Sequence, residues 1–422
     1  MNNRFAVKEN KKVMNNNLNI IKEGSVKFFI HITDEKSIPS KSMNVFYNRK
    51  MEINRDITNL AIIAYNRLIN QKPLIIIDSM AASGISSIRM LKECENIKKI
   101  YINDINPIAI DLIHKNLSLN ELNNQQVDIE VSRKDANYLF SEIVQNSFVN
   151  TENSSQKPNI ISIDPFGTPN LYIDAALKAI QKVDGLLCIT ATDTAVLFGV
   201  RPISCIRKYM SKPLHTEYCK ELGARILIYF ISRIANVNKL GIIPLLTFYT
   251  SHFIRIFCFT FKNKNKISQY FNDYGFLVHC SNCNYHLTIQ DNLLEIPKKC
   301  PICKEHNSFQ SAGPLWVNEI HNLDFVNEMI NLNQKSNYTN KKKIDKLLHL
   351  IEEEIGMPIF YYNIHNLSKN MKISNIPKLT SIISSIKKQG YQISRTHFDF
   401  QSIKTNMNIE SIKNILLLLE HT

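Results

Sequence analysis

Four acidic side chains in the first half of the chain each follow a short segment with the character of a β-strand. Isoleucine-rich segments lead into Asp78, Asp104 and Asp164, and Asp135 follows a further short segment. Runs of this kind are typical of strands buried on both faces of a parallel sheet. Because parallel strands end at one edge of their sheet, the four acids are expected to meet in one crevice. The pattern predicts an α/β fold with a mainly parallel sheet.

The loop after Asp78 is expected to approach a ligand closely. Residues 79–84 are mostly small, and a helix is predicted to begin at Ile85, so strand, loop and helix follow in the order of a nucleotide-binding unit. Gly84 is the only glycine of this loop. The glycine-rich fingerprint of dinucleotide binding is therefore not met, and binding of a phosphate there is not expected.

The acids at the next two strand ends suit an adenosine. Asp104 is placed to bind the two hydroxyls of a ribose, and Asp135 with Ala136 is placed to meet an adenine. Each acid taken alone is better explained as a loop or helix-cap residue. Their occurrence at successive strand ends favours a shared site.

The turn formed by Asp164, Pro165 and Phe166 suits methyl transfer to a planar amine. The lone pair of an exocyclic base nitrogen is delocalised into the ring, so such an amine needs an acceptor for its N–H and a surface for stacking. Asp164 supplies the acceptor, Phe166 supplies the surface, and Pro165 fixes the turn. The alternative is an ordinary Asp-Pro turn with Phe166 in the core.

Four of the 9 cysteines lie in two C-x-x-C knuckles, Cys280 with Cys283 and Cys300 with Cys303. This spacing matches a structural zinc site, in which four thiolates complete a tetrahedron and leave no position open for substrate. Disulfides and redox chemistry are the alternatives. Disulfides are disfavoured in a chain without an export signal, and redox chemistry is disfavoured because two knuckles face one another. Three nearby histidines are predicted to be surface residues rather than ligands: His279, His286 and His306.

The charge of the chain favours a polyanionic partner. Lys and Arg number 51 against 37 Asp and Glu, which gives a formal net charge of +14. An anionic membrane would fit this charge, but the sequence lacks an amphipathic, tryptophan-bearing face and any apolar run long enough to span a bilayer. The first residues lack the apolar core of a secretory signal, so we expect a cytoplasmic protein. No feature indicates an obligate protein partner.

Composition divides the chain into three parts. Residues 1–25 are predicted to be a flexible basic tail, residues 26–262 an α/β domain, and residues 263–422 a smaller α+β domain that contains the cysteine knuckles. Strands over residues 244–249 and 253–261 are expected to form an antiparallel edge of the sheet, and residues 150–157 a polar linker.

The last part of the chain resembles half of a winged-helix module. Helices are predicted over residues 344–355 and 376–388, followed by a glycine turn and a strand within residues 390–398. Modules of this kind bind the phosphate backbone of nucleic acids through a basic face. Four side chains are candidate phosphate contacts: Lys387, Lys388, Arg395 and His397. The alternative is that they are solvated charges on a small domain.

Several longer motifs are similar to those of the tRNA guanine-26 N2-dimethyltransferase family. They comprise residues 46–56, 81–85, 103–105, 164–168, 190–193, 205–227, 313–316 and 394–397, together with the two knuckles. The resemblance spans nearly the whole chain, and the length is that of the archaeal members rather than the longer eukaryotic ones. It implies a class I, Rossmann-like methyltransferase that uses S-adenosylmethionine, binds tRNA through its C-terminal domain and carries a structural zinc ion.

The resemblance also implies roles for residues that their types alone do not specify. Arg55 would pair with the carboxylate of the donor, Asp78 and Ser86 would lie at the donor site, and Phe46 and Tyr47 would form a wall of the guanine pocket. The alternative for Phe46 and Tyr47 is that both are core aromatic residues. Ser86 is a departure, because the family usually has an arginine there that contacts the donor. Weaker donor binding, or replacement of that arginine by Arg89 or a lysine, is the expected consequence.

Two other functions agree with parts of the sequence. An acid-proline-aromatic turn also serves amino-methyltransferases that act on DNA adenine or on a protein amide. A non-catalytic RNA-binding protein with a relic donor site is the other alternative, and Ser86 is the only residue that favours it.

Overall fold

A seven-stranded sheet forms the centre of the molecule. The computed structural model describes residues 18–32, 43–122, 127–149, 157–290 and 296–420. The strands of the central sheet are β3 (Leu74–Asp78), β4 (Ile97–Asn103), β5 (Asp128–Ser132), β6 (Ile160–Ile163), β7 (Gly185–Ala191), β8 (Gly241–Thr250) and β9 (Phe253–Phe261). Their order across the sheet is β5-β4-β3-β6-β7-β9-β8.

The chain reverses its direction across the sheet between β3 and β6. These two strands pair in parallel, as do β3 with β4, β4 with β5, and β6 with β7, whereas β9 runs antiparallel to β7 and β8. The predicted class I methyltransferase sheet with an antiparallel edge is confirmed. A crevice opens beyond the carboxyl ends of the strands at such a switch point, and this is where α/β sheets of this kind bind ligands.

Helices cover both faces of the sheet. They are α1 (Glu52–Leu68), α2 (Ile85–Glu93), α3 (Pro107–Leu119), α4 (Ala136–Val149), α5 (Asn170–Ala179), α6 (Thr194–Leu197), α7 (Pro202–Tyr209) and α8 (Cys219–Val237). Their apolar faces bury β3, β6 and β7 completely, which explains why these strands read as continuous isoleucine and leucine runs rather than alternating ones. Within the described residues, no helix is long and apolar enough to cross a membrane.

A hairpin precedes the central sheet. Its strands are β1 (Leu18–Glu23) and β2 (Val26–His31), which pair antiparallel. The prediction that residues 1–25 form a flexible tail is therefore wrong for residues 18–25. The reason is that Val26, Phe28 and Ile30 of β2 are buried, and that β2 packs against α2 and α3, which fixes the position of β1. Residues 1–17 of the predicted tail, and residues 150–156 of the predicted linker, lie outside the described residues.

The chain beyond β9 first packs into the hydrophobic cores that flank the central sheet. Its last part then forms a separate hydrophobic core. It contains α9 (Lys264–Ser268), β10 (Tyr274–Cys280), β11 (His286–Ile289), β12 (Phe309–Trp316), α10 (Leu323–Lys335), α11 (Lys341–Glu354), β13 (Tyr362–Asn363), α12 (Ile364–Asn370), α13 (Leu379–Lys388), β14 (Ile393–Arg395), β15 (Ser402–Thr405) and α14 (Ile409–Glu420). Leu315 and Trp316 pack with α8, and Phe325 and Met329 pack with α1. A separate core includes residues 362–416 around the sheet β13-β15-β14.

Candidate active site

A cavity of about 560 Å³ opens at the carboxyl ends of β3, β4 and β6. Its volume is in the range of small-molecule sites. Ten of the residues predicted for the donor and the guanine line it: Phe46, Tyr47, Arg55, Ser86, Asp104, Asp135, Ala136, Asp164, Pro165 and Phe166. The residues predicted from the strand ends therefore meet in one cavity.

The loop between β3 and α2 forms the floor of the cavity. Gly84 has a φ of +76°, and a Cβ at this position would come within 3.0 Å of Ile113. A side chain here would be strained in conformation and crowded by α3, so glycine is required. The backbone N–H of Ala82 donates to Oδ2 of Asp104 at 2.8 Å, which ties the loop to the end of β4. Asp104, which lines the cavity, therefore also holds this loop against the cavity.

The two acids predicted for the adenosine are held by backbone donors. Oδ1 of Asp104 accepts from the N–H of Asn106 at 2.9 Å. Oδ1 of Asp135 accepts from the N–H groups of Asn137 and Tyr138 at 2.9 and 3.3 Å, which makes it the cap of α4. These contacts orient both carboxylates at the cavity wall. The helix-cap interpretation and the ligand interpretation of Asp135 are therefore compatible.

Arg55 lines the cavity but is already engaged by a carboxylate. Its Nε and Nη2 donate to Glu23 at 2.5 and 2.6 Å, and the hydroxyl of Tyr47 donates to the same carboxylate at 3.2 Å. Burial alone would raise the pKa of Glu23, but the charges and hydrogen bonds of Arg55 and Arg89 lower it. Glu23 is therefore ionised and fixes the guanidinium of Arg55 beside the cavity.

Arg89 does not replace the arginine that the family usually has at the position of Ser86. Its side chain is completely buried and pairs with Glu23, Asp56 and Glu93. It does not line the cavity, whereas Ser86 does. The suggestion that Arg89 substitutes as a donor contact is wrong, because three carboxylates behind the cavity wall take up its N–H groups.

Asp78 lies beneath the cavity rather than in its wall. It is buried, and Oδ2 accepts from the hydroxyl of Ser87 at 2.6 Å. Burial and the nearby carboxylates of Asp164 and Asp104 raise the pKa of Asp78 to about 6, although the Ser87 hydrogen bond opposes this. Asp78 does not line the cavity, and its carboxylate supports the first turn of α2 through Ser87.

The turn that carries Asp164 is joined to the end of the next strand. Gly167, at a φ of +96°, donates through its N–H to Oγ1 of Thr192 at 2.7 Å, and the N–H of Thr192 donates to the carbonyl of Gly167 at 2.9 Å. The hydroxyl of Thr168 lies 3.1 Å from that of Tyr209, which donates to Asp193 at 2.8 Å. These contacts fix the turn on its side that faces Thr192 and Tyr209, and Asp164 itself remains exposed.

Phe166 and Phe46 form an aromatic corner at the mouth of the cavity. Their rings meet edge to face with centroids 4.7 Å apart and an interplanar angle of 87°. Phe166 is 47% exposed, which excludes the alternative that it belongs to the core. The corner presents a ring face and edge to any planar group that enters beside Asp164.

The four knuckle cysteines converge. The Sγ atoms of Cys280 and Cys303 are 3.7 Å apart, and those of Cys283 and Cys300 are 3.6 Å apart. Four thiolates bound to zinc at about 2.3 Å would be separated by about 3.8 Å, so this arrangement fits a tetrahedral ion. The described residues place no histidine in this cluster. His279 is not the predicted surface residue, since it is buried and bonded to Tyr218.

The two predicted phosphate contacts near the end of the chain differ in accessibility. Arg395 is half-buried on β14. The side chain of His397 is completely buried and pairs with Glu354. The prediction that His397 contacts a phosphate backbone is wrong, because the ring faces the interior between α11 and β14 and cannot reach solvent.

Several residues that line the cavity received no role from the sequence, and Asn54, Thr192 and His252 are among them. Thr192 follows the end of β7, so the strand-end rule would have found it. Asn54 is buried, and in the described part of the chain its Oδ1 accepts no hydrogen bond. His252 comes from the turn between β8 and β9 and carries no local signal.

A second cavity of about 620 Å³ lies between α1 and α10. Arg67, Glu93 and Tyr338 are among the residues that line it. It lacks all four of the strand-end acids. The cavity at the switch point of the sheet is therefore the candidate active site.

Known proteins are similar to this chain in sequence and in fold. The profile of the family described as N2,N2-dimethylguanosine tRNA methyltransferase matches residues 24–417. A tRNA (guanine(26)-N(2))-dimethyltransferase of Methanosphaera stadtmanae is 34% identical over 94% of this chain and 96% of its own length. The namesake of Saccharolobus solfataricus is 33% identical over 93% and 97%.

A solved structure extends the comparison to three dimensions. Trm1 from Pyrococcus horikoshii in complex with S-adenosyl-L-methionine superimposes with a TM-score of 0.79 at 29% identity, covering 94% of this chain and all of that one. Sequence and fold agree over nearly the full length. The chain belongs to the N2,N2-dimethylguanosine tRNA methyltransferase family.

Proposed function

We propose that this protein transfers methyl groups from S-adenosylmethionine to the exocyclic N2 of guanine 26 in tRNA, giving N2-methyl- and N2,N2-dimethylguanosine. The observation that carries the proposal is the position of Asp164 and Phe166. Both are exposed and line the cavity that Asp104 and Asp135 also line. A methyl donor in that cavity would present its methyl group to a base held at the mouth.

The donor supplies a methyl group on a positive sulfonium, which needs little further activation. Asp104 would bind the ribose hydroxyls, Asp135 and Ala136 the adenine, and Arg55 the carboxylate. Glu23 occupies Nε and Nη2 of Arg55, so Nη1 is the donor left for that carboxylate. Ser86 offers only a hydroxyl where the family usually has a second positive charge.

The acceptor guanine would leave the tRNA stack and enter beside the aromatic corner. Phe166 would stack on the base, and Phe46 and Tyr47 would limit its position. Asp164 accepts an N–H of the amine, so that electron density stays on N2 as the N–C bond forms and the C–S bond breaks. The proton then leaves through Asp164 to solvent, and Pro165 keeps the carboxylate in place.

The C-terminal region would bind the rest of the tRNA. Lys387 and Lys388 are exposed at the end of α13, and Arg395 lies on the adjacent β14. A zinc ion bound by the four cysteines would hold the turns at the ends of the β10–β12 sheet. Since four thiolates complete its coordination, it would stabilise structure and take no part in methyl transfer. A tRNA substrate agrees with the cytoplasmic location expected from the sequence.

The test uses the purified protein, S-adenosylmethionine and an unmodified tRNA transcript, with nucleosides identified by mass spectrometry. We expect methylated guanosine that disappears when guanine 26 is replaced by adenine, and the ratio of mono- to dimethyl product defines the end point. Asp164→Ala should abolish turnover and leave tRNA affinity nearly intact. Methylation of duplex DNA but not of tRNA would contradict the proposal.

A further inference from the structure

Helix α7 has an exposed apolar face next to the catalytic turn. Ile203, Ile206 and Met210 are 82%, 46% and 61% exposed, and Val200, which precedes the helix, is 59% exposed. A spacing of three residues places Ile203 and Ile206 on one side of the helix, and Met210 directly follows the last helical residue. Single exposed apolar residues are ordinary, but a contiguous group of this kind marks a surface that another molecule covers.

The same segment carries positive charge. Arg201 and Arg207 are exposed, and within the described residues neither side chain forms an ion pair. Lys208 differs, because it pairs with Asp193 at 3.0 Å and so belongs to the support of the catalytic turn. Apolar side chains flanked by unpaired arginines suit a nucleic acid, whose bases offer flat apolar faces and whose phosphates offer negative charge.

The opposite face of α7 is anchored to the active site. Cys205 and Tyr209 are completely buried, and the hydroxyl of Tyr209 bonds to Asp193 and lies near Thr168 of the catalytic turn. The side-chain amide of Asn170 donates to the carbonyl of Lys208, which joins the end of α7 to the start of α5. The exposed face is therefore held in a fixed position relative to Asp164.

The exposed apolar surface extends from the cavity mouth in the direction of α7. Leu171, which follows Asn170, lines the cavity and is 72% exposed. A nucleotide chain whose guanine enters the cavity must place the neighbouring nucleotides on the surface around the mouth. We propose that α7 docks the tRNA strand that flanks the target guanine, with Ile203, Ile206 and Met210 against base or ribose faces and Arg201 and Arg207 against phosphates. This inference rests on the proposed function.

The test compares two double variants with the unmodified protein. Arg201→Gln/Arg207→Gln should weaken tRNA binding at least about tenfold and flatten the plot of log affinity against log salt by about 1.4 to 1.8, as expected for two lost phosphate contacts. Ile203→Ser/Ile206→Ser should lower kcat/KM for tRNA about tenfold without changing the salt slope. The affinity for S-adenosylmethionine should be unchanged in both, because α7 lies outside the donor site.

A matched control lies on α8, away from the cavity. Arg233 and Val237 are exposed on α8, where the helix leads into the amino end of β8. Arg233→Gln/Val237→Ser removes the same two kinds of side chain and should leave tRNA affinity, salt slope and kcat/KM unchanged. Melting temperatures of all three variants should stay close to that of the unmodified protein, because every replaced side chain is exposed.

Two results would overturn the inference. One is unchanged tRNA affinity and kcat/KM in both α7 variants. The other is a change of oligomeric mass by light scattering in Ile203→Ser/Ile206→Ser with unchanged tRNA affinity, which would assign the face to a second copy of the chain. Failure of the proposed function is distinguishable, because the unmodified protein would then bind tRNA without methylating guanine 26. In that case weaker binding by the α7 variants would still support docking.

Discussion

The backbone N–H of Gly167 donates to Oγ1 of Thr192 at 2.7 Å, and the N–H of Thr192 donates back to the carbonyl of Gly167 at 2.9 Å. This reciprocal pair joins the turn after β6 to the segment after β7. Replacing Thr192 by valine keeps the shape and removes the hydroxyl. We expect kcat to fall about 10- to 100-fold, since small misplacements of a reacting group have effects of that size. Dissociation constants for donor and tRNA should change little.

Thr192→Ser is the control for this prediction, because it restores the acceptor oxygen. Its kcat should lie within a few-fold of that of the unmodified protein. Steady-state and single-turnover methylation of the transcript measure both variants. If serine and valine reduce kcat equally, the hydroxyl has no positioning role.

Ser86→Arg should strengthen donor binding. Ser86 lies in the first turn of α2 and lines the same cavity as Arg55, whose guanidinium is shared with Glu23. A second guanidinium facing the carboxylate of S-adenosylmethionine should lower Kd about tenfold, the effect of a single charge-assisted hydrogen bond. Isothermal titration calorimetry gives Kd directly.

The uncharged variant Ser86→Gln separates charge from bulk at the same position. It should bind the donor no more tightly than the unmodified protein. A donor analogue with a neutral amide in place of the carboxylate should not gain from the arginine. An equal gain for that analogue would assign the effect to packing and would contradict the charge argument.

Asp78 should make stability fall as the pH rises. Burial raises its pKa to about 6 in the folded protein, above the ordinary value near 4. The folded state therefore holds this proton over a pH range in which the unfolded state has lost it, and stability decreases until the pH exceeds about 6. Asp78→Asn lacks this penalty and keeps an acceptor for Ser87. Its unfolding free energy should exceed that of the unmodified protein by up to about 3 kcal/mol at neutral pH, and by roughly half as much near pH 5.

Denaturant unfolding at the two pH values measures this difference. The neighbouring Ser79→Ala is a control, because it changes a buried hydrogen bond without changing a titrating group. Its stability difference from the unmodified protein should be the same at both pH values. A constant difference for Asp78→Asn as well would mean that the carboxyl titrates normally.

The parts of the site that were predictable depend on local patterns. Asp104, Asp135 and Asp164 follow strands that the sequence marks by composition, and parallel pairing then brings their ends together. The cysteine knuckles were equally clear, because each pair is set by the spacing within one turn. The positions of such residues are determined by sequence neighbours only a few residues away.

The parts that could not be predicted depend on contacts between distant segments. Glu23 engages Arg55, which is 32 positions away, and Arg89, which is 66 positions away. His397 was expected to contact phosphate because it belongs to the segment that resembles half of a winged-helix module. It is buried because Glu354, which is 43 positions away, supplies a carboxylate in the interior. A single sequence does not show which buried charges will find each other, so it misplaces residues of this kind.

Removal of one knuckle cysteine should release the metal. The unmodified protein is expected to contain one zinc per chain by mass spectrometry of the element. Cys283→Ser should reduce this content strongly and lower the melting temperature, since structural zinc stabilises the fold that binds it. Cys219→Ser is the matched control, because Cys219 begins α8 and does not belong to the cluster. Normal zinc content in Cys283→Ser would exclude the four-cysteine site.

Glu354 should be essential for attachment of the last core to the rest of the protein. Its buried carboxylate accepts from the hydroxyl of Thr396 at 2.8 Å, pairs with His397, and lies 3.5 Å from Nζ of Lys404. Lys404 also donates to Glu221 of α8 at 2.9 Å, so the network connects the C-terminal strands to α8. Glu354→Gln removes the negative charge and leaves the buried cations undercompensated.

The expected loss for Glu354→Gln is about 3–5 kcal/mol in unfolding free energy, the usual result of removing one partner from a buried ion pair. Guanidinium unfolding followed by circular dichroism measures it. Glu353→Gln, at the exposed neighbouring position, removes the same charge and should change stability by less than about 0.5 kcal/mol. Burial tends to raise the pKa of Glu354, but the charges of His397 and Lys404 lower it, so its contribution should persist at neutral pH and decline only in acid. Equal stability of the two variants would show that the network does not hold the C-terminal core in place.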